Sequence, residues 1–149
     1  MKGMKVKIRK ATLGIRAGAV IALAFCLTAS AQWYRGNLKD ILKRLEEDSD
    51  HFTKSLDNDL DHGPLNGTAT EDEINRYVHE FEEATDHLKD RYDNPQQAPN
   101  LAREVLVRGR TIDQFMRRHR PGARSMSEWY RVRQSLDHVA YAYRIKWRW

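Results

Sequence analysis

Apolar side chains recur every three or four residues along four stretches of the chain, and no strand-like alternation competes with them. From residue 38 to 60, Leu38, Ile41, Leu42, Leu45, Phe52, Leu56 and Leu60 fall on one stripe about 100° wide, with Ser49 in its gap. Asn37 suits the N-cap of this helix, because its side-chain oxygen can accept an orphan amide hydrogen. Gly63 and Pro64 in "DHGPLNG" end it. "TEDE" (Thr70 to Glu73) has the spacing of a capping box, and a second stripe follows with Ile74, Tyr77, Val78, Phe81, Ala84, Thr85, Leu88 and Tyr92. "DNPQQAPN" breaks that stripe. A third carries Leu101, Val105, Ile112, Phe115 and Met116, with Gly109 as its weak point and "RPGAR" as its end. "SMSE" (Ser125 to Glu128) offers another capping box ahead of Trp129, Val132, Leu136, Val139, Ala140, Tyr143 and Trp147.

Four helices of similar length with short connections favour antiparallel neighbours. The expected fold is therefore all-α, an up-down-up-down four-helix bundle.

The N-terminus changes what belongs to that bundle. "MKGMKVKIRKATLGIR" holds six basic residues and no acid, and the apolar run "AGAVIALAFCLTASA" follows it. A basic region, a short apolar region and small residues at Ala29 and Ala31 form a signal peptide over residues 1–31, with Gln32 as the mature start. The run is shorter than the ~20 residues of a spanning helix. Phe25 ahead of Cys26 does not fit a lipoprotein signal. This predicts a periplasmic or secreted protein whose single domain covers 32–149.

Removing the signal reverses the charge. Of 26 basic residues, six leave, so 20 face 21 acidic ones and the mature net charge is −1. Nucleic acid is thus excluded as the partner that the basic whole chain suggests. Cys26 leaves as well, and no disulfide is available to the mature domain. The remaining charge is unevenly spread: residues 32–93 hold 8 basic and 17 acidic residues, and residues 94–149 hold 12 and 4. Such halves can orient two hairpins within one bundle, or give a dipolar surface that meets a protein partner, a second copy or an anionic envelope surface. Arg117, Arg118, Arg120 and Arg124 in "RRHRPGAR" are the strongest basic candidates.

Chemistry-bearing patterns are few. "LEEDSDHFTKSLD" (45–57) echoes "FEEATDHLKDRYD" (81–93), placing Glu47 with His51 and Glu83 with His87 at metal-chelating spacing. Both pairs fall on the far side of their helices from the core stripe, so they are weak ligand candidates. The Asp57, Asp59, Asp61 series fails as a calcium loop, because His62 and Thr68 stand where glycine and glutamate are needed. Asp137 and His138 are adjacent and point about 100° apart on a helix, and no serine nucleophile accompanies them. No cofactor and no enzymatic activity are expected. On the fourth helix Tyr130, Gln134, Tyr141 and Ile145 form a second row beside the core stripe, a candidate partner seam.

The strings "FTKSLDNDLDHGPLNGTATEDEINRYVHEFEEATDHLKDRYD" (52–93), "TIDQFMRR" (111–118) and "SEWYRVRQSLDHVAYAYRIKW" (127–147) resemble a group of uncharacterised, signal-peptide-bearing bacterial proteins. The resemblance implies a helical fold and no sites. A looser likeness to periplasmic four-helix cytochromes rests on the "AYAYR" ending, where Arg144 replaces any axial histidine and haem does not carry over.

These readings predict a non-catalytic bundle that works by protein–protein contact, as an adaptor or by self-association. The alternatives are an anionic lipid or polymer binder through helices three and four, and a metal-responsive bundle. For the closing "AYRIKWRW", Trp147 is expected in the core with Trp129 and Tyr143, clasped against Trp33 near the mature N-terminus. Trp149 is expected to fray. Trp147→Ala should then destabilise the fold and Trp149→Ala hardly at all.

Overall fold

The four apolar stripes become four helices because each can bury its face only against the others. A computed structural model of the chain describes the backbone from Gly18 and the side chains from Asn37 to Trp149. The helices are α1 (Gly18–Asp61), α2 (Ala69–Arg91), α3 (Ala98–His119) and α4 (Ala123–Ala142), with no strand among the described residues. Tyr34–Trp149 form one compact unit. The cleavage site and the Trp33 clasp lie outside the described side chains.

Contacts between helices fix the topology. Glu46 binds Lys89 and Thr53 binds Glu82, so advancing along α1 means retreating along α2. Asp48 accepts from Ser135, and Asp59 accepts from the Ser125 amide, which runs α4 against α1 in the same sense. Arg108 reaches Glu80 across the α2/α3 seam, and Asp113 meets Trp129 and Arg133 across the α3/α4 seam. The ring of neighbours is thus α1, α2, α3, α4 and back to α1, an antiparallel four-helix bundle.

Trp129 is the hub of the core. Its ring lies 5.0 Å from Phe52 and 6.4 Å edge-on from Phe81, and its Nε1 donates to Asp113 at 3.1 Å. One side chain therefore touches α1, α2 and α3 at once. Asp113 is itself buried, held by Arg117 at 2.6 Å and Arg133 at 3.4 Å. That pairing is needed, since an unpaired buried carboxylate would cost several kcal/mol, about 3–5 on loss of a partner. Every predicted stripe residue of α1 is buried except Ile41, which is half-buried.

The ends of the helices differ from expectation. α1 does not begin at Asn37, because the alanine- and leucine-rich stretch before it continues the helix. α2 is capped by Thr68, not Thr70: its side chain accepts from the Glu71 amide at 3.3 Å, and the Glu71 carboxylate accepts from the Gly67 amide. Gly67, at φ 69°, makes the turn that aims Thr68 at the helix. α4 starts at Ala123 with Gly122 as N-cap, and Ser125 lies inside the first turn. Its orphan amide is satisfied from another helix, since the Ser125 N–H donates to Asp59 Oδ2 at 3.0 Å. A side chain at Gly122 would overlap that carboxylate.

The fourth helix also stops early. Arg144 sits in the left-handed region (φ 55°), with its N–H donating to Tyr141 O at 3.0 Å and the Ile145 N–H to Ala140 O at 2.8 Å. These two bonds make a Schellman ending. Tyr143 closes the helical stripe, its N–H donating to Val139 O at 3.0 Å, and Ile145 and Trp147 lie off it. The chain folds back instead. Trp149 packs edge-on to Trp129 at 6.4 Å and to Trp147 at 5.5 Å, and its Nε1 donates to Asp137 at 2.8 Å. Arg133 lies over the Trp149 ring at 4.7 Å and Arg110 over Trp147 at 4.1 Å. Trp149 is docked, not frayed.

Candidate interaction surfaces

Because α1 neighbours α2 and α3 neighbours α4, the uneven charge of the sequence becomes two layers of opposite sign. The α1/α2 layer is acidic; the α3/α4 layer, with the returning tail, is basic. Among the described residues a single ion pair, Arg108 with Glu80 at 2.7 Å, joins them. Other pairs stay inside one layer, such as Lys89 with Glu46 at 2.6 Å and Arg117 with Asp113. The hydrogen bonds that the Lys89 ammonium donates to Glu46 hold its pKa above the usual value. Where the acidic layer ends, the Asp57 carboxyl is raised, first by burial and then by Asp61 and Glu71 nearby.

The basic candidates divide. Arg117 is committed to buried Asp113 and contributes to folding. Arg118, Arg120 and Arg124 are exposed, and no ion pair engages them among the described residues. Arg120 ends α3 in the left-handed region (φ 46°), where its amide donates to Met116 O. The three cations thus crowd the short α3–α4 turn.

The second row on α4 is partly as expected. Tyr130 is 60% exposed and Tyr141 87% exposed, the latter beside a groove with Ile41, Arg44 and His138. Ile145 does not extend that row, because it lies beyond the helix and packs on the core edge.

Glu47, His51, Glu83 and His87 are all exposed. The α1/α2 register sets His51 level with Ala84, so His87 is about 4.5 Å further along the axis at helical rise. Glu47 is paired with Lys43 at 3.3 Å and Glu83 with His79 at 3.4 Å. Among the described residues no three His, Cys, Asp or Glu side chains come together in a metal-holding group. Asp137 accepts from Trp149, so it orders the tail and does not orient His138.

The seam between α2 and α3 is furrowed, with a cavity of about 440 Å³ over Tyr77 and Val107. Val107 is 59% exposed. The signal for it was an apolar residue standing off the α3 stripe.

Among the described residues no helix is long and apolar enough to cross a membrane. No family model matches the chain, and neither the curated proteins nor the solved structures contain a match.

Proposed function

We infer that this chain, once residues 1–31 are removed, works outside the cytoplasm as a non-catalytic helical bundle that acts by protein–protein contact, as a self-associating module or adaptor. The observation that carries the reading is the pair of oppositely charged layers joined, among the described residues, by one ion pair, Arg108 with Glu80. Charge that merely held the hairpins together would be spent across the layers. Here most of it stays unspent and faces outward, where it steers complementary surfaces together. The exposed tyrosines Tyr130 and Tyr141 add apolar area to which a steered partner can adhere.

Sedimentation of the natively processed protein tests the reading. The expected result is a mass above one chain that falls as ionic strength rises. A single-chain mass at every concentration and salt level overturns self-association.

A second reading is supported by Arg118, Arg120 and Arg124, exposed at one turn with no ion pair among the described residues. They suit an anionic lipid headgroup or envelope polymer. Salt-sensitive co-sedimentation with anionic vesicles is its expected result; no retention removes it.

A further inference from the structure

The furrow between α2 and α3 runs along the seam and is bridged at its middle by the Arg108–Glu80 ion pair at 2.7 Å. Three cavities, of about 360, 440 and 80 Å³, lie along it, and the last two share Tyr77 and Thr111. From Asn100 to Arg118 on α3 it extends about 27 Å at ~1.5 Å per residue. Its middle is floored by Tyr77 and Val107, and its walls differ in sign. Over the 440 and 80 Å³ cavities Glu73 and Glu80 line the α2 wall, while Arg103, Arg108 and Arg118 outnumber Glu104 on the α3 wall; at the 360 Å³ cavity Arg91 makes the α2 side basic instead. A furrow with an apolar middle between charged walls is a shape that receives an amphipathic helix.

The chain itself carries a helix that matches. α4 has 20 residues, about 30 Å of helix. Its outward row of Tyr130, Gln134 and Tyr141 is uncharged, and the two tyrosines stand about three turns apart on one line. On a helical wheel Arg124 and Arg131 flank that row on one side and Asp137 flanks it on the other. Both arginines are exposed, Arg131 making only a 3.6 Å contact with Glu128. The two features also face away from each other. α4 lies diagonally across the bundle from α2, and Tyr141 borders the α1/α4 groove, not the furrow.

We propose that the α2/α3 furrow receives α4 of a second copy of this chain, with Tyr130 and Tyr141 seated over Tyr77 and Val107. In that arrangement Arg124 and Arg131 face the glutamates of the α2 wall, and Asp137 faces the arginines of the α3 wall. Charge complementarity sets the direction in which the helix lies. Because row and furrow are on different sides, each copy can donate and accept at once. The contact is heterologous and extends into an open assembly instead of closing as a symmetric pair. The proposal rests on the self-association reading and deepens it.

Two variants of the natively processed protein test it, Val107→Glu and Tyr141→Glu. Both positions are exposed, so thermal unfolding followed by circular dichroism should be nearly unchanged. In sedimentation velocity the unsubstituted protein should form species larger than two chains that grow with concentration. Each variant alone should stay at single-chain mass. An equal mixture should recover two-chain species and stop there, since the mixture pairs one intact furrow with one intact row. If the unsubstituted protein assembles and both variants do so equally, the furrow is overturned while self-association stands. Variants that remain single chains even when mixed put both residues in one symmetric interface, which also overturns the proposal. A foreign polypeptide retained by the unsubstituted protein and lost with Val107→Glu alone assigns the furrow to another partner and overturns it too. An unsubstituted protein of single-chain mass throughout defeats both the furrow and the reading beneath it.

Discussion

Arg144 holds a backbone conformation that glycine adopts without strain and other residues avoid. It does so because the Schellman bonds at Tyr141 and Ala140, and the tail beyond them, require the chain to reverse there. Replacing it with glycine should relieve that strain at the cost of some unfolded-state entropy, a net gain of about 0.5–1 kcal/mol by urea unfolding. A loss of stability instead would mean that the arginine side chain contributes more than its backbone costs. The turn it makes delivers Trp149 to Trp129, which inverts the order of importance of the last two tryptophans. Trp149 carries an acceptor in Asp137, a cation in Arg133 and an edge contact with the hub. Trp147 has Arg110 over its face, yet among the described residues no acceptor reaches its buried Nε1. Trp149→Ala should therefore destabilise the fold by about 2–4 kcal/mol, at least as much as Trp147→Ala. Thermal melts in which Trp149→Ala matches the unsubstituted protein would restore the frayed terminus.

Among the elements, α1 and α2 meet at an acidic corner that the fold tolerates instead of exploiting. α1 ends with no basic residue in its last turn, where the helix dipole favours one, and Asp57 and Asp61 stand there beside Glu71. The folded chain holds the Asp57 proton more tightly than the unfolded chain does. The fold consequently loses stability as pH rises through the raised pKa, and the loss persists at neutral pH. Asp57→Asn should recover a few tenths of a kcal/mol at neutral pH, screened by solvent, and nothing in acid below the carboxylate range. Equal gains at both pH values would assign the effect to the amide and not to charge. This corner also shows what periodicity can and cannot tell. Burial repeats along a helix, so Leu38, Leu42, Leu45, Phe52, Leu56 and Leu60 announce their face one by one. Helix ends lack that redundancy. Thr68 with Glu71 and Thr70 with Glu73 have the same spacing, and only the turn at Gly67 decides between them. The cap of α4 comes from Asp59 in another helix, and the end of α4 is marked by an arginine where glycine is the usual sign. Surface sites divide similarly: Tyr130 and Tyr141 are visible as residues off the stripe, but the furrow exists only once α2 and α3 lie side by side. The burial of Asp113 was hidden for the same reason: Arg117 is a local partner four residues on, but Trp129 and Arg133 reach it from α4.

At the scale of the whole molecule, two quantities govern association, and they point in different directions. Residues 32–149 carry a net charge of −1, so copies of that part do not repel one another as monopoles. The separation of charge between layers is large, so two copies in the right relative orientation attract. Attraction of that kind decays over about 8 Å at physiological ionic strength, which makes it an aid to encounter and orientation more than to final adhesion. The tyrosine row and the Val107 floor must then supply the part of binding that salt does not screen. The prediction separates these two contributions. Sedimentation equilibrium should show the apparent Kd weakening by roughly tenfold between low and physiological ionic strength and then levelling off, as the apolar contact persists after charges are screened. Arg124→Glu combined with Arg131→Glu should flatten the salt-dependent part, because repulsion from the α2 glutamates replaces attraction. Tyr141→Glu should remove the plateau. An association that keeps weakening with salt until nothing remains would place the binding energy in the charged layers alone, and the row of tyrosines would then have no part in it.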